Sequence, residues 1–197
     1  MPQGRAPGAA EPASYAGDVS VSPGAAVLRV AAARFVSDGQ ELVAPFTLAL
    51  GAGERVALTQ PDERSAAIAA RIAAAIVKPS SGSVIVGDFD TRLQPAQAKR
   101  LIGFVPAHGF CATVRAFERE IGFRADVWGT DRRAMQREAD ALYAALQAGV
   151  PEAWARGVAL ALAPGVAAMV LENAPAEWFE LVGAQHPALA LLATRAA

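Results

Sequence analysis

The sequence predicts an α/β fold with an antiparallel β part. Two observations carry this: the first half of the chain is rich in strand-like segments, and the second half alternates helical and strand periodicity. A third sets the scale. With 197 residues, 53% hydrophobic and 19% charged, the chain can build one domain with a buried core and does not read as disordered.

Residues 1–24, MPQGRAPGAAEPASYAGDVSVSPG, bury too little apolar surface to offset chain entropy, so they read as a disordered tail ahead of a domain over 25–197. AAVLRVAAARFV is strand-like, and Asp38-Gly39 signals a turn. ELVAPFTLAL alternates as a second strand, with Pro45 pointing to an edge or a bulge. GAGE turns the chain into a third strand, RVALT. A helix is predicted from Ser65 to Val77, because Ile68, Ile72 and Ile76 recur at i, i+4 and i+8, and Pro79 and Gly82 in KPSSG stop it. SVIVGDFDTRL reads as a strand and turn, and PAQAKRLIGFVPA as a short helix followed by a strand over Ile102 to Val105. Residues 113–123 and 131–148 read as amphipathic helices, the second turning Met135, Leu142 and Leu146 inward. EAWARGVALALA reads as a helix, GVAAMVLEN as a buried strand and ALALLATR as a last strand.

Composition excludes several functions. A net charge of −1 with an isoelectric point near 6.1 leaves no basic footprint, so nucleic-acid binding is not expected. Cys111, His108 and His186 make a meagre metal-ligand set, and one cysteine forms no internal disulfide, which suits a reduced, cytoplasmic compartment. The longest uncharged apolar run, 157–171, is broken by Pro164-Gly165 and falls short of the ~20 residues of a spanning helix. Arg5 is followed by no apolar stretch before Glu11, so no secretory signal is read and membrane contact is expected only through a partner.

One framework stands out. GERVALTQPDERSAAIAARIAAAIVKPSSGSVIVGD runs Gly-Glu, strand, loop, helix, Lys-Pro-x-Ser-Gly, then a strand ending in a glycine turn. RLIGFVPA and ALALAPGVAAMVLENAP follow in the same order. Together these resemble the ATPase subunit of ATP-binding-cassette (ABC) transporters from about Leu28 to Arg195. The resemblance implies a P-loop NTPase-like core, a small N-terminal antiparallel β part and a shortened helical insertion at about 112–150.

The resemblance also places that family's chemistry on particular residues, and here the sequence departs from it. The phosphate loop G-x-x-x-x-G-K-[ST] needs glycines so that backbone N–H groups close on phosphate, a lysine for the β/γ oxygens and a hydroxyl for magnesium. The segment aligned with it is Gln60, Pro61, Asp62, Glu63, Arg64, Ser65, Ala66 and Ala67, leading into Ile68. Gln60 and Ser65 replace the glycines, Ala66 the lysine and Ala67 the hydroxyl. Asp62 and Glu63 add negative charge where phosphate would sit; a like-charge pair ~4 Å apart costs ~4 kcal/mol at an effective dielectric near 20. Glu172 stands at the magnesium-binding acid, the one weak candidate metal ligand, and Asn173 at the catalytic Glu, where it cannot take a proton from water. Ala107 stands at the loop glutamine, Arg195 at the switch histidine and Phe35 at the adenine-stacking aromatic. The best slot for the signature motif is VPEAW at 150–154, which has no glycine, and APAEWFELVGAQHP does not match the loop after the paired acids.

Taken singly, these residues have plainer readings: Phe35 as core, Glu172 as a polar strand end, Arg195 as a solvated side chain near the terminus, His108 as a loop residue and Cys111 as a buried hydrophobe. Trp128, Trp154 and Trp178 suit either a core or a partner anchor. Arg133 and Arg137 read as a solvated helix face. Taken jointly, the resemblance implies a degenerate relative with no intact catalytic residue and no cofactor: a non-hydrolytic interaction or regulatory subunit beside a membrane permease or an intact ABC ATPase subunit, at the inner face of the membrane. The alternatives are a weak ATP/Mg-binding subunit whose turnover depends on a partner, and a free-standing scaffold. The phosphate-loop segment yields a local test. A helix starting near Ser65 would keep the old loop path. A start near Pro61 would mean that Pro61 at the first helical position, with Asp62 and Glu63 against the positive helix end, has replaced it; the second is favoured.

Overall fold

The computed structural model describes residues 26–111 and 113–197, so the tail read at 1–24 lies outside the described residues. Two four-stranded sheets share one core. The antiparallel sheet has the order β2-β1-β4-β5, from β1 (Leu28–Ser37), β2 (Gln40–Leu50), β4 (Ser81–Val86) and β5 (Phe89–Asp90). Asp38-Gly39 turns β1 into β2, both with positive φ. Pro45 sits on β2, the edge strand, where its missing N–H breaks no ladder.

The second sheet is parallel, with the order β3-β8-β7-β6, from β3 (Arg55–Gln60), β6 (Ile102–Val105), β7 (Ala168–Glu172) and β8 (Ala190–Ala196). β7 and the first five residues of β8 are buried throughout, as continuous apolar runs in a parallel sheet covered on both faces should be. Side-chain alternation splits the sheet between two cores. Ala168, Val170, Ala190 and Leu192 pack with helix α1 (Glu63–Ala73) and the antiparallel sheet. Met169, Leu171, Leu191 and Ala193 pack with α5 (Glu152–Leu162) and α6 (Ala176–Gln185). A third core joins α3 (Val114–Trp128), α4 (Arg132–Leu146) and α5, through Phe117, Ile121, Met135 and Leu160. Helix α2 (Pro95–Leu101) leads into β6 with Pro95 in its first turn.

The structure corrects two helix ends and adds one helix. Helix α1 ends at Ala73 rather than Val77, because Ala75 takes a left-handed conformation (φ 58°) and Ile76 N closes back on Arg71 O at 2.8 Å. Ile76 therefore leaves the apolar stripe and is 51% exposed. Residues 176–185, to which the sequence reading assigned no element, form α6; its N-cap is Pro175, with no side-chain cap hydrogen bond. α3 also runs to Trp128, beyond the expected 123. Trp154 is buried and packs, tilted by 48°, against the partly buried Trp178 at 4.8 Å between centroids, which favours the core reading of both.

Candidate functional site

The C-terminal ends of a parallel sheet are where an α/β fold gathers its functional loops. Here that edge collects the turn after β3 (Pro61, Asp62), the ends of β7 (Glu172, Asn173) and β8 (Thr194, Arg195), and the turn after β6 (Pro106, Ala107). The residues predicted for the site are thus brought to one edge, apart from Phe35. Phe35 lies on β1 and is packed, partly buried, against the core beneath the antiparallel sheet.

The turn after β3 is short. Helix α1 starts at Glu63, between the two starts considered, and its N-cap is Asp62 in an extended conformation. Asp62 Oδ1 accepts from Ser65 N at 2.8 Å, and Oδ2 accepts from Ser65 Oγ at 3.1 Å. Pro61 stays outside the helix, which corrects its expected place at the first helical position; the acid caps and the proline only precedes it. The helix end, where an anion would be drawn by free N–H groups and the dipole, thus already holds the protein's own carboxylate. Hydrogen bonding from the Ser65 backbone holds the Asp62 carboxyl below its usual 3.8. The cap's contribution is therefore present above that pH and is lost as pH falls through the lower folded value. Thermal unfolding from pH 7 to pH 3 should show an Asp62→Ala variant with a lower midpoint near neutrality, converging with the parent in acid; a constant gap across this range would remove the carboxylate from the account.

Ala66 and Ala67, which the resemblance sets against a lysine and a hydroxyl, serve packing in the structure. Ala66 is fully buried and Ala67 partly so, while Arg64 is exposed. On β7, Glu172 faces the α1 side and is 5% exposed. Its two oxygens receive Arg71 from α1: Nε to Oε2 at 3.1 Å and Nη2 to Oε1 at 3.0 Å, a bidentate pair. Both lobes of the carboxylate face a guanidinium, as a strand-end acid with an open metal position would not. Asn173 has φ 48° and donates Nδ2 to Glu63 O at 3.5 Å, so the end of β7 touches the first residue of α1. Two buried oxygens nearby, Asn173 Oδ1 and Thr194 Oγ1, have no hydrogen-bond partner among the described residues; Thr194 pairs in register with Glu172.

The remaining predicted residues contribute little chemistry. Ala107 offers a methyl group, half-buried in the turn after β6, and His108 beside it is exposed. Arg195 is exposed on β8, opposite Thr59. Residues 150–154 form the entry to α5, with Pro151 as N-cap and Trp154 buried. Cys111 is buried, and burial pushes its thiol up, away from reactivity. Sequence reasoning missed Arg71. Its signal was present: it is the one charged residue between Ser65 and Val77, four places beyond Ala67 on the same helix face.

No protein-family model matches the sequence, and no curated protein does. Solved structures do match in fold. An ATP-binding subunit of an ABC transporter superposes with a TM-score of 0.67 at 14% identity, over 86% of this chain and 79% of that one. The cbiO1 protein of Clostridium perfringens, part of the ABC transporter complex cbiONQ, gives 0.63 at 15% identity over 87% and 79%. A bacterial Atm1-family ABC exporter with ATP bound gives 0.61 at 14% identity over 88% of this chain and 35% of the exporter. The chain has the fold of the ATP-binding subunits of ABC transporters.

Proposed function

We propose that the chain is a non-hydrolytic interaction or regulatory subunit of a transport system, an ABC ATPase-like domain over 25–197 whose nucleotide site is filled by its own side chains. The observation that carries this is the bidentate Arg71–Glu172 pair, which engages the acid standing at the metal position. The Asp62 cap on α1 supports it, since phosphate would have to displace a carboxylate already held by Ser65. The residues present do not fit MgATP: no lysine, glycine loop or hydroxyl serves the phosphates, and Asn173 is no base. No step of hydrolysis is assigned to the chain.

A membrane permease or an intact ATPase subunit is the proposed partner, on the cytoplasmic side. Among the described residues no helix is long and apolar enough to cross a membrane. The C. perfringens neighbour is itself part of a transporter complex. A face for protein contact is on offer. Phe110, Phe123, Val127 and Ile76 are 46–61% exposed around a hollow of about 270 Å³ between α3 and β6.

Calorimetric titration with MgATP, run beside recovery of the tagged chain from host membranes, tests the proposal. No nucleotide heat and a co-purifying permease or ATPase, lost in a Phe123→Glu variant, is the expected result. Micromolar MgATP binding would replace this reading with a weak, partner-dependent ATP-binding subunit. Recovery without any transport protein would leave a free-standing scaffold.

A further inference from the structure

The opposite edge of the parallel sheet carries a second feature, unrelated to the nucleotide position. There the segments entering β3, β7 and β8 meet the C-terminal end of α6 and the flank of α4 around a hollow of about 460 Å³. Its floor is apolar: Val27, Leu142, Leu162, Val166 and Leu189. A further hollow of about 330 Å³ shares Glu138, Leu162 and Gly165 with it, so the apolar surface continues past Glu138. The first volume alone lies within the range of small-molecule clefts, ~300–1,000 Å³.

The walls are fixed by backbone bonds rather than by mobile side chains. Gly53 N donates to Ala188 O at 3.0 Å, Leu189 N to His186 O at 3.1 Å, Ala190 N to Ala167 O at 3.2 Å and Gly165 N to Leu162 O at 2.8 Å. Gly53 is at φ 77°, and a Cβ there would meet Pro187 O at 2.7 Å, so this close approach needs glycine. Gln185 Nε2 donates to Ala145 O at 3.2 Å, tying α6 to the end of α4. A preformed cleft loses less free energy to ordering when a ligand enters.

The polar groups at the rim define the ligand's chemistry. Glu138 is the one ionised side chain in the lining, and among the described residues it makes no hydrogen bond or ion pair. His186 is half-buried, and its side chain likewise bonds to nothing described. Burial lowers its pKa from the ordinary 6.5, against a weaker opposing pull from Glu138, so at neutral pH the ring is uncharged and keeps an acceptor nitrogen. A solvated carboxylate with no protein partner among the described residues, beside a neutral imidazole at the mouth of an apolar hollow, matches an ammonium group, which donates three hydrogen bonds.

We infer that this cleft is a binding site for a small hydrophobic amine, with its apolar body on Leu142, Val166 and Leu189 and its ammonium between Glu138 and His186. Such a ligand would bind at the opposite end of β7 from the Arg71–Glu172 pair, whatever becomes of the transport reading.

The test uses the full chain and three probes of one shape: 2-phenylethylamine, 2-phenylethanol and 3-phenylpropanoate. NMR titration follows the His186 ring protons and the α4 and α6 amides. The amine at millimolar concentration is expected to shift these resonances, the alcohol to bind at least about tenfold more weakly and the acid not to bind. Glu138→Gln, at an exposed helix position, should weaken the amine about tenfold with the amide spectrum otherwise unchanged. Ala188→Trp should fill the hollow and abolish the shifts. Equal binding of amine and alcohol, an undiminished response in Glu138→Gln, or an amine effect that spares His186 would each overturn the assignment.

Discussion

Ala66→Lys is expected to destabilise the protein by roughly 3 kcal/mol, combining an overpacking cost of ~1–3 kcal/mol with burial of an unpaired ammonium. For a domain of this size that lowers Tm by about 10 °C. The substitution places a lysine where the resemblance sets the one that a phosphate loop requires. The structure argues against the change. Ala66, Ala69, Ala70 and Ala73 recur along the buried face of α1 at 0% exposure, and small side chains let the helix lie close against β8 and β7. A lysine on that stripe would replace a fully buried methyl group with a long charged side chain. Thermal unfolding gives the stability, and MgATP titration of the same variant should show no gain. A variant that kept its Tm and bound ATP would mean that the loop still follows a phosphate-binding path.

Arg71→Ala should cost about 2 kcal/mol, less than the ~3–5 kcal/mol of a fully buried broken pair, because the guanidinium is 45% exposed while the Glu172 side chain is 6% exposed. The asymmetry fixes the rest of the cycle. Removing the arginine strands a buried carboxylate, whereas Glu172→Gln only leaves an arginine that can turn to water, so the glutamine variant should lose under ~1 kcal/mol. The double variant Arg71→Ala with Glu172→Gln should recover most of the single arginine loss. Chemical denaturation of the four proteins measures this. Additive losses would show that the two groups contribute separately and that the pair does not organise the site.

The elements with strong local signals were legible in the sequence. Strand-like runs between turn signals placed β1 to β4, with alternation clearest in β2; apolar runs placed β7 and β8, and PAQAKRL was read as the short helix α2. Helix ends were less legible. Nothing in the Ala75–Val77 run announces a left-handed residue, since alanine rarely adopts one, so the isoleucine period carried the predicted helix a turn too far. α6 was not assigned: it shares an uncapped proline start with α5, but it buries only Phe179, Val182 and Gly183, so its apolar periodicity is weak. The edge residues were legible one by one through their positions along the framework. Their partnerships were not: Arg71 and Glu172 are 101 residues apart, and only the α1–β7 packing joins them. The cleft at Glu138 and His186 was illegible for the same reason, being assembled from the ends of elements across the whole chain.

Asn173 touching the first residue of α1 bears on motion as well as on chemistry. A ligand moves a conformational equilibrium only by the difference in its affinity for the two states. At this edge the helix end is capped by Asp62, the strand-end acid is clamped by Arg71 and the following residue reaches Glu63. The Asp62 cap and the Arg71–Glu172 pair are thus already made inside one arrangement, and a nucleotide contacting either would first have to displace a partner. Under the proposed reading, a chain built this way would behave as a fixed member of its complex, its shape answering to the surfaces pressed against it rather than to nucleotide.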